Sequence, residues 1–112
     1  MYPDKEFNRR LGGIRERFVT SLYDVDAELR RHERRVAEPE KRRAALSAIS
    51  QQAHRLRGLA PILGLADLGA CALDVEESIM AVSDVQLVDG ECVAILSKVT
   101  HLRGEVAKLI NV

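Results

Sequence analysis

A chain of 112 residues has room for one hydrophobic core and not two, so a single domain spanning residues 1–112 is expected. Apolar residues make up 46% of it and aromatic residues only 4%, which suits aliphatic helix packing better than a β-sandwich. Basic and acidic residues number 17 each, so the formal net charge is zero and no global field favours nucleic acid or an anionic membrane.

Met1-Tyr2-Pro3-Asp4-Lys5-Glu6 lacks an apolar signal core, and no stretch approaches the roughly 18 apolar residues needed to span a bilayer, so a cytoplasmic protein is expected. Phe7, Leu11, Ile14, Phe18, Leu22, Val25 and Leu29 then recur at three- and four-residue steps, the signature of an amphipathic helix. Gly12-Gly13 interrupts this run. The pair either separates a short extra N-terminal helix from a long second one or is tolerated inside one helix at about 1 kcal/mol per glycine.

Glu38-Pro39 predicts a turn, with proline suited to the first position of the next helix. That helix is predicted to run from about residue 40 to 62, with Leu46, Ile49, Ala53, Leu56, Ala60 and Leu63 as its apolar stripe. Gly64 breaks it before another helix that carries Leu68, Cys71, Ala72, Val75, Ile79 and Val82 on one face. Ser83 to Gly90 reads as a loop around Asp89-Gly90. A last helix follows, with Cys92, Leu96, Val99, Leu102, Val106 and Leu109 at heptad-like spacing. Nothing alternates with period two, so the expected fold is an all-α antiparallel four-helix bundle.

Cys71 and Cys92 both fall on apolar stripes, where free cysteine behaves as a small buried hydrophobe. If the last two helices are antiparallel about residue 86, the two thiols are about 9 Å out of register, and no disulfide is expected. Metal-ligand spacing is absent too, and no metal site is expected. The basic runs Arg30-Arg31-His32-Glu33-Arg34-Arg35 and Lys41-Arg42-Arg43 read as solvated helix ends, since Glu33, Glu38 and Glu40 dilute them and no aromatic is interleaved for base stacking. Nucleic acid is therefore not an expected partner. His32 and His101 read as surface residues without a role.

His54 stands apart. On a helix turning about 100° per residue it points roughly 140° away from the centre of the apolar stripe, so its imidazole faces outward. Ser47, Ser50, Gln51, Arg57, Gly58 and Pro61 are its expected neighbours on that face. The run His54-Arg55-Leu56-Arg57-Gly58, with Gly64 ten residues after the histidine, resembles the histidine phosphotransfer (HPt) domain. That family's motif is His, any residue, an aliphatic, Lys or Arg, then Gly, with a second Gly ten residues after the His. The match continues without a gap through Leu68 and Cys71 to Glu76, where this family and the related first domain of chemotaxis kinases often carry Glu or Gln facing the histidine. It is close over residues 46–80. Two departures stand out: Arg57 replaces the commoner Lys, and Leu59 with Pro61 replaces small residues, the proline tending to kink a helix.

The resemblance implies a phosphoryl carrier that accepts the group on His54 from one receiver domain and passes it to another. The partner receiver domain of a response regulator or hybrid kinase would supply Mg²⁺ and the phospho-accepting aspartate; the chain itself would hold no cofactor. No P-loop or glycine fingerprint is present, so no kinase activity of its own is expected. With the two central helices antiparallel about residue 65, Glu76 falls level with His54. A carboxylate there that accepts Nδ1–H leaves Nε2 free to attack phosphorus. Arg57, one turn on, would neutralise phosphoryl oxygens, and Gly58 would clear a path for the partner. Pro61 and Ile62 would edge the docking surface; Leu59, Ile62, Leu65, Leu73 and Met80 fall outside or at the edge of their helices' main seams, and each either adds to that surface or belongs to a wide core stripe. A monomer is expected. The competing expectation is an HPt-like helical adaptor that binds a signalling protein without carrying phosphate.

Overall fold

Phe18, Leu22, Val25 and Leu29 repeat at three- and four-residue steps and are buried along one side of a helix that needs no break at Gly12-Gly13. The computed structural model, which describes residues 5–82 and 89–110, shows α1 as one helix, Lys5–Val36. A separate short N-terminal helix is therefore not formed: the cost of two glycines is small beside the hydrogen bonds of an uninterrupted 32-residue helix.

The helices α2 (Pro39–Leu59), α3 (Ala66–Ala81) and α4 (Asp89–Ile110) complete an all-α antiparallel four-helix bundle. Each helix packs on two neighbours, in the cyclic order α1, α2, α3, α4. Pro39 starts α2, where a missing N–H costs nothing. The predicted loop ends one residue before Asp89, because Asp89 and Gly90 already belong to α4; its remaining residues, 83–88, lie outside the described residues.

Regular helix in α2 ends at Leu59, three residues before the predicted end, because Pro61 has no N–H to donate back into the ladder. One further turn closes around Gly64, which has φ +79°. Leu65 N–H donates to Ala60 O at 2.8 Å and Gly64 N–H to Pro61 O at 3.1 Å, the paired bonds of a Schellman ending. Pro61 thus lies in the turn and kinks no helix. Its ring packs against α3 at Gly69, where an added Cβ would come 2.8 Å from Pro61 Cγ. Gly69 is required by that close approach.

Leu46, Ile49, Ala53, Leu56, Ala60 and Leu63 are all buried, as are Leu68, Ala72 and Val75 of α3 and Val99, Leu102 and Val106 of α4. Ile95 joins them, and Leu65, open between the docking surface and a wide core stripe, is core, because the Schellman ending folds its side chain inward. Cys71 is half-buried and Cys92 buried, both as free thiols. Burial pushes the Cys71 thiol above its ordinary value, with Glu105 adding to the effect.

At the opposite end of α1 the seam is uncovered. Arg15 Nε donates to Leu63 O at 3.2 Å, and Tyr23 O–H donates to Ile110 O at 2.8 Å, so residues before Arg15 project past the α2–α3 turn and past the described end of α4. Phe7 and Ile14 are consequently 59% and 46% exposed, although they continue the stripe that is core from Phe18 onward.

Charge is unevenly shared between the two halves of the bundle. The helices α1 and α2 hold 14 Lys and Arg against 7 Asp and Glu, whereas α3 and α4 hold 3 against 7. Residues 58–97 contain no Lys or Arg at all. Arg103 bridges the halves, donating to Glu33 at 3.1 Å and lying 3.4 Å from Asp26.

Candidate functional site

His54 sits at mid-length on α2, opposite the apolar stripe, and its side chain is 64% exposed. The bundle register brings Glu76 of α3 level with it. Glu76 is the one buried charged residue among the described residues, and its carboxylate has two partners on α2. His54 Nδ1 lies 2.6 Å from Glu76 Oε2, and Arg57 Nε donates to Glu76 Oε1 at 2.5 Å.

A carboxylate can only accept, so the short contact requires the proton on Nδ1. In the neutral imidazole Nε2 then carries the lone pair, on the ring edge turned away from Glu76. Arg57 Nη2 lies 3.4 Å from Nδ1, but both are donors in this arrangement, so that proximity is not a hydrogen bond. Arg57 offsets the buried carboxylate's charge, which would otherwise be costly at that depth.

Arg57 is thus engaged with Glu76, where the sequence pattern pointed it at phosphoryl oxygens. Gly58 is exposed, and a Cβ built there would meet nothing within 4 Å among the described residues, so none of them demands glycine. Its place one turn beyond His54 leaves open space on that side. Pro61 and Ile62 are exposed in the α2–α3 turn, Ile62 at 69%. Leu59, Leu73 and Met80 are exposed as well, with Leu59 and Ile62 at the end of the bundle from which Phe7 and Ile14 project.

An open groove runs beside His54, lined by Ser47, Ser50, Gln51 and Arg55 of α2 with Glu76 and Ile79 of α3. The spacing of the two serines and the glutamine marked them as neighbours of His54; Arg55, the next residue in the chain, was not singled out. Nor was the Pro61–Gly69 contact that fixes how α3 leaves the turn, for which a glycine inside an apolar helical stripe was the available signal. His101 is exposed, while His32 is half-buried, its Nδ1 without a hydrogen-bond partner among the described residues. Burial and the nearby Arg31 and Arg35 lower its pKa.

Among the described residues, no group of three or more His, Cys, Asp or Glu could hold a metal ion, and no helix is long and apolar enough to cross a membrane. Comparisons with protein-family models, with curated proteins and with solved structures each return no match to this chain.

Proposed function

We propose that this chain is a histidine phosphotransfer protein, which carries a phosphoryl group on His54 Nε2 between receiver-domain aspartates. The observation that carries the reading is the His54–Glu76 pair: an exposed imidazole whose Nδ1 is tied to a buried carboxylate and whose Nε2 is open to an incoming partner. This fixes tautomer and ring orientation together, the two things a nucleophilic imidazole needs.

Transfer proceeds as the Nε2 lone pair forms a bond to phosphorus while the partner's aspartyl O–P bond breaks and its carboxylate leaves. The Nδ1 proton stays against Glu76, whose negative charge offsets the positive charge developing on the ring. Because phosphoryl transfer rests on positioning and charge stabilisation, a carrier needs little more than this, with Mg²⁺ and the acceptor aspartate coming from the partner. The cationic α1–α2 half, to which His54 belongs, and the exposed Leu59 and Ile62 support docking of an acidic partner surface on this side.

An adaptor that binds without carrying phosphate would use the same exposed apolar residues but has no need of the Glu76-bound imidazole. Incubating the protein with phosphorylated receiver domains separates the two: a carrier acquires acid-labile, alkali-stable phosphate that is absent from His54→Gln, and an adaptor acquires none.

A further inference from the structure

Arg57 is held on Glu76 through Nε, and a second cation, Arg55, lines the groove beside His54 without a protein partner among the described residues. We infer that Ser50, Gln51 and Arg55 form a phosphoryl-binding subsite that receives the oxygens of the group carried on Nε2. The inference rests on the proposed phosphoryl-carrier function.

Side chains on a helix tilt toward its N-terminus, so the His54 ring leans over the turn that holds Ser50 and Gln51 and away from Gly58. The groove beside His54 has an α2 wall that presents a hydroxyl from Ser50, an amide from Gln51 and a guanidinium from Arg55; its α3 wall is Ile79 and Glu76, whose two carboxylate oxygens are taken by His54 Nδ1 and Arg57 Nε. Three phosphoryl oxygens call for that donor set, a cation with neutral N–H and O–H groups beside it. None of the three side chains makes a hydrogen bond or ion pair among the described residues, in contrast to Arg57. All three therefore keep their donors available. Two arginines in one motif thus divide the work. Arg57 positions the base of the imidazole through Glu76, and Arg55 meets the cargo.

Phosphoramidate provides a test that needs no partner protein: Nε2 displaces ammonia at phosphorus, forming the N–P bond as the donor's N–P bond breaks. The phosphohistidine of the wild-type chain is then titrated by ³¹P NMR. A guanidinium against the phosphoryl oxygens favours the dianion, so Arg55→Ala is expected to raise the titration midpoint by about 0.5–1 pH unit, with Gln51→Ala moving it less. Arg55→Lys should restore most of the shift. All are exposed or half-buried surface changes, and circular dichroism should show unchanged helicity. A labelled Arg55→Ala whose midpoint equals that of wild type overturns the subsite and leaves the carrier function standing. A wild-type chain that takes no phosphoryl group on His54 overturns both.

Discussion

The Glu76 carboxylate stands 2.6 Å from His54 Nδ1 across 22 residues of sequence and the α2–α3 boundary. Removing it frees the ring to rotate and to exchange tautomers. Glu76→Ala is expected to slow single-turnover transfer from a phosphorylated receiver domain by about 1–3 kcal/mol in barrier. Glu76→Gln, which keeps an oxygen able to accept Nδ1–H, should fall between. Nitrogen NMR of the wild-type imidazole at neutral pH should show Nδ1 as the protonated nitrogen; Nε2–H as the major form would contradict the assigned arrangement.

His54 is expected to be the sole acceptor. Labelling should vanish in His54→Gln and persist in His32→Gln and His101→Gln. An exposed side chain contributes little to folding, so the His54 variant should unfold within roughly 0.5 kcal/mol of wild type. Phosphate retained on that variant would move the acceptor elsewhere.

Leu56 and Val99 are 2% and 0% exposed on facing sides of the core. Truncating Leu56 to alanine should cost about 2–5 kcal/mol, and Val99 somewhat less, through lost burial and the cavity left behind. Urea unfolding reads this directly: a midpoint equal to wild type would exclude that residue from the core.

At Gly69 the expectation has the opposite steric sign. A methyl group would meet Pro61 Cγ at 2.8 Å and Cδ at 2.9 Å, and a proline ring has little freedom to yield. Gly69→Ala is therefore expected to destabilise by about 1–3 kcal/mol despite alanine's better helix propensity. Pairing it with Pro61→Ala should recover part of the loss, the signature of a shared contact. Independent, additive effects would show that the turn adjusts without strain.

Gly58→Gln should keep or slightly raise helicity, since a Cβ there meets nothing within 4 Å among the described residues and glycine is the poorer helix former. Loss of transfer from a receiver domain with helicity intact is expected if the partner approaches over that turn. Normal transfer would place the docking surface on another side of His54.

Much of this arrangement was legible from spacing. The α2 stripe, the outward direction of His54 and the level of Glu76 all follow from helical geometry and the antiparallel connection near residue 65, and the geometry bears out each of them. What spacing did not settle shares a physical cause. Periodicity says which face of a helix would be buried but not whether another element reaches far enough to bury it, so Phe7 and Ile14 share the stripe of Phe18 and Leu22 and are exposed all the same. Leu65 could not be assigned to core or surface from helical angles, because a helix ending redirects its side chain inward. Arg57 was placed on the right face, but its choice between a buried carboxylate and solvent depends on how deeply Glu76 lies, and burial of a charge leaves no mark in spacing. The Pro61–Gly69 contact joins two elements through the shape of a turn, which no single-helix pattern encodes.

The unequal sharing of charge between the two pairs of helices makes this neutral molecule dipolar. A uniform field exerts no net force on such a body, but it does exert a torque. An acidic partner would therefore begin to turn the α1–α2 side, and His54 with it, into line before any surfaces touch. That pre-orientation acts only within about 8–10 Å at physiological salt, so raising ionic strength removes alignment first and contact later.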